Sequence, residues 1–372
     1  MLTWDRKLLY IFRAYVTPVI VCIGIPGNIL LISAFYKLHS RVKCRFNLYV
    51  ISIAVAHIFD LFFNGLLDDF IGKGLIYASE GRLDYKIDGI NAFSCKALTL
   101  LTDVSNFVAS TLFVVFTADR LITIYYPIKA RGDLYVKNTS YIIVANYILG
   151  TVIFSHIFLV YSLTNNNGKV NCSFTNKSSI GAKTNVLIVA IGSYSVPTIS
   201  ILFLNCFIVI KFRRVMLKQM TLGLNQTSKA STEMRRIVGH LSTSTVFLLF
   251  SFPLVTSNLL RLYATHNNWL LSHPDRQGII VNFSKFFSSL KSVHYALEFW
   301  IYIIFMPNVR RALINTCCIR TICLHFGPKS IRDLIYSDKR NRTNYAGRRN
   351  MNSLEETSDQ RGTRFKKSSD VS

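Results

Sequence analysis

Acidic residues are scarce in this chain: 19 Asp and Glu stand against 43 Lys and Arg over 372 residues, a formal charge of +24. Clustered cysteines are missing too. The eight cysteines are dispersed apart from adjacent Cys317 and Cys318, with Cys323 close behind, and nowhere form the pair of pairs that holds zinc. No metal-spaced His/Cys/Asp/Glu cluster, nucleophile elbow or glycine-rich phosphate loop occurs, so an enzymatic reading has nothing to stand on and no cofactor is implied. A soluble chain this basic would point to nucleic acid. The hydropathy removes that reading, because several runs of about 20 residues or more are almost free of charge, and about 20 helical residues cross a bilayer core. Backbone polar groups in lipid must be satisfied within their own segment, so such runs are helices.

Seven apolar segments are expected: Ala14 to Tyr36, Asn47 to Leu67, Ala97 to Tyr126, Tyr141 to Leu163, Thr184 to Phe212, Ile237 to Leu262 and Ile279 to Met306. Lys285 and Lys291 make the seventh the weakest by hydropathy. Basic residues crowd the stretches Lys37 to Arg45 and Lys211 to Arg236 and the tail after Met306, which fall on one side under alternating topology and mark it as cytoplasmic. The acidic stretch Asp68 to Asp88 then lies outside. The expected organisation is a short extracellular N-terminus (1–13), a seven-helix bundle (14–306), an amphipathic helix on the inner membrane face (307–323) and a disordered basic tail (324–372). The first segment reads as a retained anchor, since no small-residue cleavage site precedes an apolar core. The tail carries too few apolar residues to bury a core. Acyl chains on Cys317 and Cys318 would hold the amphipathic stretch to the bilayer; a solvated basic segment is the plainer reading.

At this point the sequence resembles a known family, the rhodopsin-like G protein-coupled receptors. Gly27-Asn28 is similar to the family's first-helix GN motif, and Asn47-Leu48-Tyr49 through Ser52-Ile53-Ala54-Val55-Ala56 to its second-helix NLxxxSLAxAD run. Ala118-Asp119-Arg120-Leu121 followed by Tyr126-Pro127 looks like the DRY motif and loop proline, with Cys95 and Arg120 25 residues apart as in the family. Pro197, Phe247, Pro253 and Tyr302 match the fifth-helix proline, the sixth-helix aromatic and proline, and the tyrosine of NPxxY. The resemblance covers roughly residues 15 to 320, and its strength lies in the order of the motifs rather than in any one of them.

The resemblance implies an all-α membrane protein, a seven-transmembrane helix bundle with a short amphipathic eighth helix, in the plasma membrane with its N-terminus outside. It implies an extracellular ligand, a heterotrimeric G protein and arrestin as partners. Cys95 heads the third helix and Cys172 lies in the second outer loop, in an oxidising compartment, so the two are expected to form a disulfide; two free thiols are the alternative. Asp119 and Arg120 stand at the inner end of the third helix and Glu233 at the inner start of the sixth, and the family pairs an acid there with the arginine at rest. The expectation is an Arg120–Glu233 lock that opens on activation, against a plain snorkelling anchor. Pro197 and Pro253 are hinge candidates, because each removes a helical hydrogen bond, although proline also serves packing alone.

Departures from the family are equally informative. The second-helix aspartate falls on His57, the asparagine of NPxxY on Glu298, and His294 lies one turn before it. An intramembrane acid needs a partner. His57 and Glu298 are therefore expected to pair, with Asn28 and His294 completing a polar network and the family's sodium regulation lost or altered. A satisfied structural hydrogen bond is the bland alternative. The sixth-helix CWxP reads Phe250-Ser251-Phe252-Pro253, and the fourth helix has no tryptophan, Tyr147 standing near its place.

The ligand is read by position. The aminergic aspartate position falls on Thr102, with Asp103 one step round the helix, and the opsin lysine position on Ser292, with Lys291 one step off. Thr102, Asp103, Asn106, Asn258, Arg261 and Lys291 are pocket candidates. The overall pattern is similar to divergent invertebrate neuropeptide or orphan receptors, flatworms among them. A neuropeptide ligand leads; a chemosensory or amine-like small molecule is the alternative, and a transporter or a non-coupling receptor-like protein the remote one. Asn171 and Asn176 begin outer-loop glycosylation sequons, while Ser353, Thr357, Ser358, Ser368 and Ser369 are tail phosphorylation candidates.

Overall fold

The structure is a computed structural model that describes residues 3–126, 133–166, 169–176, 180–221, 228–266 and 274–314. Seven long helical runs make up its first unit, Met1–Val309. They are α1 (Trp4–Arg41), α2 (Arg45–Ala78), α3 (Ala92–Tyr125), α4 (Asp133–Phe154), α5 (Ile180–Lys218), α6 (Ser228–His266) and α7 (Pro274–Phe305). Stretches of the first six are long and apolar enough to cross a membrane. The seventh has the length but carries Lys285, Lys291 and Glu298. A short helix, α8 (Pro307–Ile314), follows, and Arg310–Ile314 are the described part of the second unit. Residues 315–323, with Cys317 and Cys318, and the tail 324–372 lie outside the described residues.

Local chemistry fixes several helix ends. Asn91 caps α3 with its side-chain oxygen on the Ser94 N–H at 2.7 Å, and Ser94 Oγ accepts from the Asn91 N–H at 3.2 Å, a reciprocal capping box. In α5 the turns Ile188–Ser195 widen to π-helical spacing just before Pro197, which has no N–H to return to the preceding turn.

The expected helical bundle stands, with two differences at element ends. After a helical turn at Ile157–Val160, β1 (Tyr161–Asn166) and β2 (Lys169–Phe174) form an antiparallel hairpin. The fourth helix therefore ends before Leu163, where the chain enters the strand that pairs Tyr161 with Phe174 and Leu163 with Cys172. The helices are also longer than hydropathy predicts. α1 begins at Trp4 and spans 38 residues, about 57 Å, against a core of about 30 Å. α2 continues through Asp68 and Asp69 to Ala78.

Side-chain pairing explains both extensions. Arg13, 6% exposed, reaches Asp69, 2% exposed, at 2.8 Å. Ser289 of α7 closes the triangle, donating to Asp69 Oδ2 at 2.6 Å and accepting from Arg13 Nε at 3.2 Å. One turn before α1 would otherwise fray, Asn282 Nδ2 donates to Asp5 Oδ2 at 2.6 Å. A charge run that reads as solvated loop is instead a buried three-helix tie.

Glycines let the helices approach. A Cβ on Gly74 would stand 2.5 Å from the Arg13 carbonyl oxygen, which is backbone and cannot swing aside. Gly74→Ala is expected to lower stability by about 1–3 kcal/mol, read as thermal unfolding in detergent. Gly278→Ala, where a Cβ meets nothing within 4 Å, is the control and should leave Tm unchanged or slightly raised. Equal behaviour of the two variants would remove the close approach as a determinant.

Candidate functional site

Polar groups run through the bundle in three levels, from the end that carries the hairpin to the end that carries Arg120. At the first, Cys95 of α3 and Cys172 of β2 form the expected disulfide, their Cα atoms 5.4 Å apart. It draws the hairpin over the bundle mouth. Beneath it lies a cavity of about 210 Å³ lined by Asp103 of α3, Asn185 of α5, Asn258 and Arg261 of α6, and Tyr161 and Phe174 of the hairpin. Burial first, and the Asp103 carboxylate second, raise the Tyr161 phenol above its usual range, so it offers a neutral hydroxyl to the cavity. Asn258 also accepts from Ser284 Oγ of α7 at 2.7 Å, which ties α6 to α7 beside the cavity.

Three of the six pocket candidates, Asp103, Asn258 and Arg261, thus share one cavity. Thr102 is half-buried but does not line it. Asn106 and Lys291 lie in the second level. The Lys291 ammonium, 3% exposed, donates to Asn106 Oδ1 at 2.8 Å and Ser110 Oγ at 3.0 Å, and Asn106 Nδ2 donates to Tyr194 OH at 2.6 Å. The rings of Tyr194, Phe247 and Tyr295 surround this cation at 5.1, 5.6 and 5.8 Å. Lys291 therefore joins α7 to α3 and, through Asn106, to α5.

The expected pair follows on the same level. His57 Nδ1 and Glu298 Oε2 are 2.8 Å apart, and both side chains are within 2% of complete burial. The His57 ring stacks on Tyr295 at 4.2 Å and meets His294 edge-on at 5.6 Å. His294 is packed between Phe113 and Phe247. Asn28 sits apart from the pair as a staple, donating to the carbonyls of Gly24 at 2.8 Å and of Tyr295 at 2.9 Å, while Gly27 leaves room for Phe299. The first-helix motif is thus a contact between α1 and α7. Tyr147, near the place of the missing tryptophan, donates to the Ser52 carbonyl at 3.0 Å and so joins α4 to α2.

At the third level Arg120, 4% exposed, bonds its neighbour Asp119, whose other oxygen takes Arg45 of α2 at 2.6 Å. Glu233 pairs with Arg236, three residues on along α6. Among the described residues Arg120 and Glu233 do not pair, so the expected lock is not the contact that holds α6 in this conformation. Instead two guanidinium groups stand over the Phe46 ring of α2, Arg120 at 5.0 Å and Arg236 at 5.5 Å. His240 of α6 meets Thr117 Oγ1 of α3 at 3.1 Å. Tyr302 is fully buried against Phe35 and Phe46. Phe46 and Arg236 carry no motif signal, and sequence reasoning passed over both.

Of the sequons, Asn171 is half-buried and its side chain accepts from Lys86 Nζ at 2.6 Å, whereas Asn176 is exposed.

A disulfide-tied hairpin over a polar cavity, a proline-bearing fifth and sixth helix and an Asp–Arg pair at the far end describe a membrane receptor. The comparison with family models agrees: the model described as 7 transmembrane receptor (rhodopsin family) matches residues 27–302, and the chain belongs to that family. It is a multi-pass G protein-coupled receptor, a signalling receptor and not an enzyme. No curated protein matches its sequence.

Proposed function

We propose that this receptor lies in the plasma membrane with its N-terminus and hairpin outside, binds a peptide in the cavity beneath the hairpin, and activates a heterotrimeric G protein at the Arg120 end. The cavity carries the reading. At about 210 Å³ it falls below the roughly 300–1,000 Å³ of sites that engulf a small organic ligand. It suits one end of a longer ligand whose remainder lies across the hairpin and the outer helix ends. A carboxylate, Asp103, a guanidinium, Arg261, and the amides of Asn185 and Asn258, set among Phe174, Val186, Val189, Ala190 and Leu262, suit a chain end that carries both polar and apolar groups. The orientation rests on the basic stretches 37–45 and 211–236 at the Arg120 end. Glycosylation at exposed Asn176 in preference to Asn171, acylation at Cys317 and Cys318, and arrestin recruitment by the phosphorylated tail belong to the same reading.

A biogenic amine is the second reading, and one observation favours it: Asp103 lines the cavity although it stands one residue from the aminergic position. The test is G protein activation in cells with verified surface expression, challenged with amidated neuropeptides and biogenic amines. A peptide response is expected, abolished in Arg120→Ala with ligand binding retained, and at least about tenfold less potent in Arg261→Gln because the cavity loses its cation. An amine response lost in Asp103→Asn would replace the peptide reading with the amine one.

A further inference from the structure

A second, larger cavity, about 690 Å³, opens between α1 and α2 away from the pocket described above. Its depth in the bilayer follows from helix geometry. Lys73 stands roughly 40 Å along α2 from Arg45, and Tyr15 roughly 40 Å along α1 from Arg41. A bilayer is about 40–45 Å thick with its headgroups. With Arg41 and Arg45 at one face, the cavity lies in the headgroup layer of the opposite leaflet. Tyr15, 57% exposed, stands at its rim, as tyrosines do at that depth.

The lining has two chemical halves. Tyr10 and Tyr77 stack at 5.8 Å, nearly parallel, and with Tyr15 present aromatic surface. Exposed Glu80 and Asp84 add negative charge, and among the described residues neither has an ion-pair partner. Aromatic rings with a carboxylate are what recognises an ammonium group. The other half is cationic. Lys73 gives one N–H to Asp68 and Lys86 gives one to Asn171, so each ammonium keeps further donors for an anion. Phosphate suits those donors, and the acids exclude a ligand that is purely anionic.

We propose that the α1–α2 cavity binds a zwitterionic phosphate–ammonium group, the ammonium against the tyrosines and acids and the phosphate on Lys73 and Lys86. Lys73 follows Asp69 by about one helical turn, so the bound group adds to the Arg13–Asp69–Ser289 tie in fastening the ends of α1 and α2. A phospholipid headgroup of that leaflet and a free phosphocholine share this chemistry, and the test separates them.

The experiment is thermal unfolding of the full-length receptor in detergent. It is titrated with a short-chain phosphatidylcholine below its micelle concentration, with the matching phosphatidylglycerol, and with free phosphocholine. The phosphatidylcholine is expected to raise Tm by several degrees. Its midpoint should move to about tenfold higher concentration in the Glu80→Gln/Asp84→Asn variant, whose changes are exposed and leave the fold intact. A shift with phosphatidylcholine alone assigns the site to the bilayer; the same shift with free phosphocholine assigns it to a soluble ligand, and both support the proposal. Equal shifts from the glycerol and choline lipids, no shift from any of the three, or an unchanged midpoint in the variant would overturn it.

Discussion

Glu298→Ala is expected to lower the stability of the receptor by about 3–5 kcal/mol, enough to cut surface expression severely. The carboxylate lies 2.8 Å from His57 with no exposed side-chain surface. Deleting one member of a buried pair leaves the other without compensation, and that residual cost exceeds the net worth of the pair itself. His57→Ala should behave alike, since Glu298 then keeps a buried charge or takes up a proton at similar cost. The contrast that isolates the mechanism is the double variant His57→Asn/Glu298→Gln. It restores neutral hydrogen-bonding groups at both positions and should recover most of the loss. Thermal unfolding in detergent, with flow cytometry for surface level, reads all three. Single variants as stable as the wild type would show that the pair is not a structural element. The stakes are raised by its surroundings: Tyr295 stacks on the His57 ring, and the same tyrosine borders the Lys291 ammonium. A collapse at His57 therefore reaches the level directly beneath the hairpin-covered cavity.

How far the sequence revealed all this depends on the kind of signal. Apolar runs announce helices because lipid leaves the backbone no alternative, so seven crossings were legible and so was the weakness of the seventh. The ends were not. Hydropathy stops counting where charges begin, yet α1 and α2 extend past their apolar runs because Arg13 finds Asp69, a pairing across helices that no single segment announces. The hairpin was missed for a related reason: Tyr161 to Leu163 continues an apolar run, and only the pairing with Phe174 and Cys172 makes it a strand. Family resemblance placed Cys95 with Cys172 and His57 with Glu298, because motif spacing fixes which residues share a level of the bundle. Resemblance failed for the lock. It carries a partner over by position, whereas Glu233 has Arg236 on its own helix and Arg120 has Asp119 beside it. Lys291 stands one step from the opsin lysine position, which suggests a pocket residue, and a rotation of part of a turn puts it beneath the cavity, on Asn106 and Ser110.

Phe46→Leu is expected to raise ligand-independent G protein activation several-fold, while Glu233→Gln leaves it nearly unchanged. In this conformation the inner part of α6 is held to α2 through Arg236 over the Phe46 ring, which Arg120 also approaches, and to α3 through His240 at Thr117. An outward swing of α6 about Pro253 must break the Arg236 contact. A cation over an aromatic ring is worth about 0.5–1 kcal/mol when exposed and about 2 when desolvated, which corresponds to roughly 2- to 30-fold in the population of the swung state. Leucine keeps the apolar volume and removes the ring quadrupole, so the packing of Phe35, Phe116 and Tyr302 around the position is largely retained. Arg236→Met should raise basal signalling to a similar extent, and combining it with Phe46→Leu should add little, because both remove one interaction. Glu233, by contrast, makes an ion pair within its own helix, 40% exposed on the acid side, and such pairs contribute little. Basal activation measured at matched surface level decides the matter. A rise with Glu233→Gln and none with Phe46→Leu would return the resting contact to the arginine–acid pair and leave the aromatic clamp as packing alone.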